Sequence, residues 1–150
     1  MPLRVYRVCR AIHSALDGIG AKKAGGRWNS PGYAVVYMAQ SISLAVLENL
    51  VHLSKQDFPR GYVMIAAEIP DHATIFSEEE IRKHGPRIRS AALGDRWIHS
   101  RASLVLKVRS KVVPHEHNYL LNPQHPKFAE ITVLPAVPFK FDARLFKAIV

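Results

Sequence analysis

Between Gly25 and His52 the chain passes in quick succession through a glycine pair, a tight turn, a short apolar run and an amphipathic segment, an order that leaves few ways to fold. Gly25-Gly26 frees the backbone to bend or to approach a ligand closely. Arg27 follows at once with a planar, permanently charged fork suited to phosphate or carboxylate, beside Trp28 and Asn29. Ser30-Pro31-Gly32 carries turn chemistry, and Tyr33 to Ala39 has the length and β-rich composition of a buried strand with Tyr37 near its end. Ser41 or Ser43 then caps a helix on which Ile42, Leu44, Ala45, Val46, Leu47, Leu50, Val51 and Leu53 cover most of the circumference, so the helix is expected to be largely buried. At 100° per residue, Glu48, Asn49 and His52 fall on one narrow polar stripe beside Ala45, with Glu48 and His52 spaced to pair. Such a stripe faces either solvent or a cleft.

Taken singly, each of these pieces has a structural explanation. Glycine pairs make loops, strand tyrosines pack in cores, and helical carboxylates are usually solvated. Their order is more informative. Tyr6-Arg7, the run Gly25 to Asn29, Gly32, Tyr37, the segment ending at Glu48, and later Asn122-Pro123 and His125 together resemble the RES-domain toxins of bacterial RES-Xre toxin-antitoxin pairs. The resemblance extends from Tyr6 to about Arg144. It implies an α+β fold similar to that of ADP-ribosyltransferase toxins, with a mixed central β-structure and short flanking helices. It also implies an enzyme acting on NAD, by cleavage with water or phosphate or by transfer of ADP-ribose to a protein, with NAD as substrate and no cofactor required. The arginine, glutamate and serine that name the family map onto Arg27, Glu48 and Ser110. Where the family typically has Pro-Ser, this chain has Arg109-Ser110. Gly25, Gly26, Trp28, Asn29, Tyr37, Tyr6, Arg7, Asn122 and His125 are the implied substrate-binding residues. A cognate Xre-like antitoxin and a homodimer within the toxin-antitoxin complex are the implied partners.

Breaking the nicotinamide-ribose bond of NAD develops oxocarbenium-like charge on the ribose, which a preorganised carboxylate stabilises. Glu48 is the candidate, also holding the ribose 2'-hydroxyl or orienting the nucleophile. Arg27 would hold phosphate or the adjacent ribose, Tyr37 would stack on the cationic ring, and Ser110 would bond the nicotinamide amide or the ribose.

The 150 residues, 48% of them hydrophobic, suit one compact domain with its own core, so residues 1–150 read as a single RES-type NAD-acting domain. Cys9 is the one cysteine, which excludes an internal disulfide. No apolar run is long enough to span a bilayer and no signal-peptide layout opens the chain, so a soluble, cytoplasmic protein is expected. The formal charge of +9, from 21 Lys and Arg against 12 Asp and Glu, favours anionic partners. The basic residues are nevertheless dispersed and no nucleic-acid-binding motif is present, so direct nucleic-acid binding is not expected. A basic ribonuclease or RNA-binding toxin using His115, His117 or His125, and a non-catalytic binding module, are the alternative readings. His115-x-His117 and His125 lack the spacing of a zinc site, and there is no nucleophile elbow.

Elsewhere, Leu3 to Cys9 and Tyr62 to Ile69 are expected strands, and Tyr6 and Arg7 lie on opposite faces of the first. Ala73 to Phe76, Ser103 to Val108, Val112-Val113 and Phe128 to Leu134 read as further strands, with Phe139 to Asp142 beside the last. Ser77 begins a capping box with Glu80 for a helix to about His84. Gly94-Asp95 reads as a break before a helix holding Trp97, and Asp142 caps a short final helix.

Overall fold

The computed structural model describes residues 1–53 and 58–146. Eight strands form one mixed sheet in the order β4-β5-β6-β2-β1-β3-β7, with β8 also paired to β3. The strands are β1 (Leu3–Arg10), β2 (Val36–Ala39), β3 (Tyr62–Ile69), β4 (Ile75–Ser77), β5 (Val105–Arg109), β6 (His117–Leu121), β7 (Thr132–Val133) and β8 (Val137–Phe139). Only β4 and β5 run parallel; the remaining pairs are antiparallel. The helices are α1 (Ile19–Ala24), α2 (Ile42–Leu50), α3 (Glu78–His84) and α4 (Ser90–Ser100). The architecture is therefore α+β in a single domain.

One sheet face buries Val5, Val36, Met38, Ala67, Ile69, Val105, Tyr119 and Leu121. The other divides in two. At one end α4 packs Leu93, Trp97 and Ile98 onto Trp28, Leu106, Val108 and Leu120. At the other, α2 packs Leu44 and Ala45 onto Val8, Ala39 and Phe141. The middle of this face is left without a covering helix, and a cleft occupies it.

Several expected elements differ. The strand expected from Tyr33 begins only at Val36, because the Asn29 amide donates to the Tyr33 carbonyl at 3.0 Å and holds that backbone in the loop. Helix α2 is half-exposed rather than largely buried: Leu44 and Ala45 are its buried residues, and Ile42, Leu47 and Val51 are exposed at 38%, 40% and 57%. Gly94 and Asp95 lie inside α4 instead of preceding it, and Val112-Val113 forms a turn. The segment from Phe128 begins as a 3-10 turn (Phe128–Glu130), closed by bonds from Glu130 N–H to Lys127 and from Ile131 N–H to Phe128, so pairing with β3 starts at Thr132–Val133, and Leu134 N–H bonds the Ala66 carbonyl at 2.9 Å. The segment at Phe139 pairs with β3, not with β7. Ser41 supplies the α2 cap, accepting from Leu44 N–H at 3.1 Å, and Ser77 caps α3 as its sequence implies. Among the described residues no helix is long and apolar enough to cross a membrane.

Candidate active site

Antiparallel register decides which side chains meet. Tyr6 pairs with Ala39, Ala39 with Asn118, Tyr37 with Leu120, and Val108 with Asn118, and directly paired residues share a face. Together they floor a cleft of about 920 Å³, walled by α2 through Ala45, Glu48 and His52 and by the loop Gly25 to Trp28. Tyr6 thus stands on the cleft face, and Arg7 also borders the cavity. A second cavity of about 740 Å³ lies alongside, lined by Ser77, Glu78, Arg82, Lys107, Arg109, Ser110 and His117. Arg27 and Lys111 border both spaces.

Glu48 projects from α2 toward β5 and β6 and not toward His52. Its Oε1 accepts from the Ser110 hydroxyl at 2.7 Å and from the Asn118 amide at 2.8 Å. Ser110 is itself held: it is buried, and its Oγ accepts the N–H groups of Val112 and Val113 at 3.1 and 3.0 Å. The neighbouring Asn49 latches the helix to the sheet, its amide donating to the Val8 carbonyl at 2.7 Å. Arg27 donates from Nη1 to the Arg109 carbonyl at 2.9 Å, and its guanidinium lies 5.6 Å from the Trp28 ring centre. Its Nε is buried and has no partner. A buried guanidinium donor without an acceptor is costly, a cost borne by the packing around Arg27.

The glycine loop is built by packing as much as by bending. A Cβ on Gly26 would lie 2.7 Å from the Tyr37 hydroxyl and 2.9 Å from Asn29 Oδ1. That hydroxyl donates to Asn29 Oδ1 at 2.6 Å and accepts from Trp28 N–H at 3.0 Å. Burial, partly opposed by the Trp28 N–H bond and Arg27, pushes the Tyr37 phenol up to about 12, so it stays protonated and keeps donating. Only the Tyr37 ring is left for a ligand. Trp28 and Asn29 are 1% exposed, Trp28 within the core and Asn29 bonding the loop carbonyls of Ala21 and Tyr33.

The charged groups of the second cavity are unequally committed. Burial favours the neutral form of Glu78, but bonds from Arg82 and Arg109 N–H outweigh it and hold the carboxyl below its usual range. Burial and then the charges of Lys107 and Arg109 depress the His117 imidazole. The cations outnumber the acids there.

Not every expected site residue is brought to this cleft. Asn122 is fully buried elsewhere, donating to the Ile98 carbonyl at 2.9 Å and accepting from Gln124 N–H at 3.0 Å, which are turn and packing bonds. His125 accepts from Lys127 N–H at 3.1 Å and lines a separate cavity of about 210 Å³ with His72 and Glu130. His115, His117 and His125 therefore do not gather. Asn118 is the residue that sequence reasoning passed over, since the run His115 to Asn118 looks like a polar loop. The apolar run Tyr119 to Leu121 that follows it was the available sign of a strand.

Comparison with known proteins bears on the family and the fold. The family model described as RES domain matches residues 4–142. A protein named Toxin Res from Yersinia enterocolitica is 34% identical over 151 residues, covering 95% of this chain and 99% of that protein. A protein named Prs ADP-ribosylating toxin from Sphingobium sp. is 35% identical over 142 residues, covering 88% of this chain and 87% of that one. Among solved structures, the M. tuberculosis MbcT-MbcA toxin-antitoxin complex contains a chain similar in fold, with a TM-score of 0.71 at 16% identity over 97% of this chain and 87% of that one.

Proposed function

This chain belongs to the RES domain family, and from that premise we propose that it is the toxin of a toxin-antitoxin pair and consumes NAD by cleaving the nicotinamide-ribose bond. The single observation that carries the reading is Glu48. Its carboxylate is fixed on one oxygen by Ser110 and Asn118 at the edge of a cleft that Tyr37 and Arg27 also line. A relative at 35% identity is named as an ADP-ribosylating toxin, which supports NAD as the substrate.

In the proposed reaction the cationic nicotinamide ring lies against the face of Tyr37, and the ribose faces the carboxylate. As the C–N bond lengthens, the bonding pair leaves with nicotinamide, which departs neutral. The positive charge left on the ribose is stabilised by the Glu48 carboxylate, already oriented by Ser110 and Asn118, so little reorganisation is needed. Arg27, which borders both cavities, takes the pyrophosphate or adjacent ribose, and Gly25-Gly26 lets the backbone approach it. Water, phosphate or a protein side chain then receives the ADP-ribosyl group. A protein antitoxin is the proposed partner, of Xre-like type and in a complex containing a toxin homodimer. This reading uses residues 4–142 as one NAD-acting unit.

The test is nicotinamide release from NAD by the purified chain and by Glu48→Gln, with folding checked by circular dichroism. The expected result is release by the wild type and a loss of about 10²- to 10⁴-fold in the variant, the range for a positioned catalytic group. Equal turnover by both proteins would remove Glu48 from the mechanism. RNA cleavage that persists in Glu48→Gln would instead favour ribonuclease chemistry.

A further inference from the structure

We propose that Asn118 is a positioning residue for Glu48, holding one carboxylate oxygen so that the other is presented to the ribose. The inference rests on the assignment of Glu48 to NAD cleavage and adds to it a residue that acts through Glu48.

Asn118 occupies the middle of the sheet, on β6, with Ala39 of β2 on one side and Val108 of β5 on the other. Its neighbours on that face are otherwise apolar or aromatic: Ala39, Val108, Leu120 and Tyr37. Asn118 is half-buried on the cleft floor, where a hydrogen bond fixes its carboxamide against these neighbours. Its side chain bonds Glu48 Oε1 at 2.8 Å. An ionised carboxylate only accepts, so this bond requires the amide nitrogen and fixes the amide orientation.

The two donors to Glu48 act on the same atom. Ser110 Oγ also reaches Oε1, at 2.7 Å, and its lone pairs already receive the N–H groups of Val112 and Val113. The hydroxyl proton therefore has one direction, toward Glu48. Glu48 Oε2 receives no hydrogen bond from the described residues, and it is not among their sealed, unpartnered atoms. One oxygen is thus anchored twice and the other is open to the cleft. With Ser110 alone the carboxylate would have a single pivot and could swing about it; Asn118 supplies the second point from a different strand. Its removal should leave NAD bound but misalign the open oxygen, so the effect belongs in kcat and not in KM.

The kinetic test compares wild type with Asn118→Asp, which keeps the shape of the side chain but replaces the donor with an acceptor facing Oε1. The expected result is a fall in kcat for nicotinamide release of about 100-fold with KM for NAD nearly unchanged. Unchanged kcat in folded Asn118→Asp, with Glu48→Gln inactive, would overturn the role of Asn118 while leaving NAD cleavage intact. A second measurement needs no turnover and no folded Asn118 variant. In two-dimensional NMR of amide-labelled protein, the Asn118 side-chain NH₂ protons should move upfield when Glu48→Ala removes their acceptor. A resonance that stays in place would overturn the proposal. A shift of that resonance in a protein whose wild type releases no nicotinamide with water, phosphate and acceptor proteins all supplied would support the contact and sink the NAD reading instead.

Discussion

The Tyr37 hydroxyl accepts from Trp28 N–H and donates to Asn29 Oδ1, so it joins the glycine loop to the sheet before any substrate is present. Tyr37→Phe keeps the ring and leaves a buried donor and a buried acceptor unpaired. It should cost about 1–3 kcal/mol in urea unfolding, while nicotinamide release stays within a few-fold. Loss of turnover without loss of stability would show that the hydroxyl serves the reaction directly. The phenol also sets a pH window. A folded value of about 12 against the ordinary value of about 10 means that the protonated form is favoured by folding. Its stabilisation is complete below the unfolded value and is lost as pH rises toward about 12, which unfolding midpoints followed across that range would report. At this scale the sequence was partly legible. The order of motifs pointed to Arg27, Glu48 and Ser110, and these meet at one wall; Asn118 was hidden because a polar run in a strand looks like a loop until its register is known. Asn122 and His125 were named through motif likeness, and their bonds tie the turn that follows β6.

Helix α4 shows why element boundaries were harder to read than element types. Gly94-Asp95 looks like a stop because glycine weakens helices, yet both residues sit within the helix for reasons that lie elsewhere in the chain. A Cβ on Gly94 would come within 1.7 Å of the Trp28 carbonyl oxygen, and Asp95 accepts from Ser30 N–H at 2.7 Å. The helix is thus fitted against the loop that carries Arg27. Gly94→Ala, favourable by helix propensity, should destabilise the fold by about 3 kcal/mol or more through overpacking, read as a lower denaturant midpoint. A rise in KM for NAD should accompany it as the loop is pushed away. An unchanged midpoint would mean that the loop yields freely. Conversely, β1, β3 and the capping box at Ser77 were legible because alternation and capping are local signals. The late start of β2 at Val36 depended on a side chain seven residues upstream, the amide of Asn29.

For the molecule as a whole, the +9 charge fixes how partners approach. An acidic antitoxin would be steered toward it, so its association rate should fall roughly tenfold between about 50 and 500 mM salt, as measured by stopped-flow fluorescence. A salt-independent rate would direct attention to the exposed apolar side chains of α2, Ile42 and Leu47. The fold class was legible through the family resemblance carried by the order of motifs. The sheet order was not, because β2 lies between β1 and a strand some eighty residues later in the chain. That separation governs when the protein acquires its chemistry. Glu48 is synthesised early, but its two holding groups, Ser110 and Asn118, are 62 and 70 residues further on. A nascent chain on the ribosome carries the carboxylate through most of its synthesis with nothing to aim it, and becomes able to harm its host only once β6 has emerged.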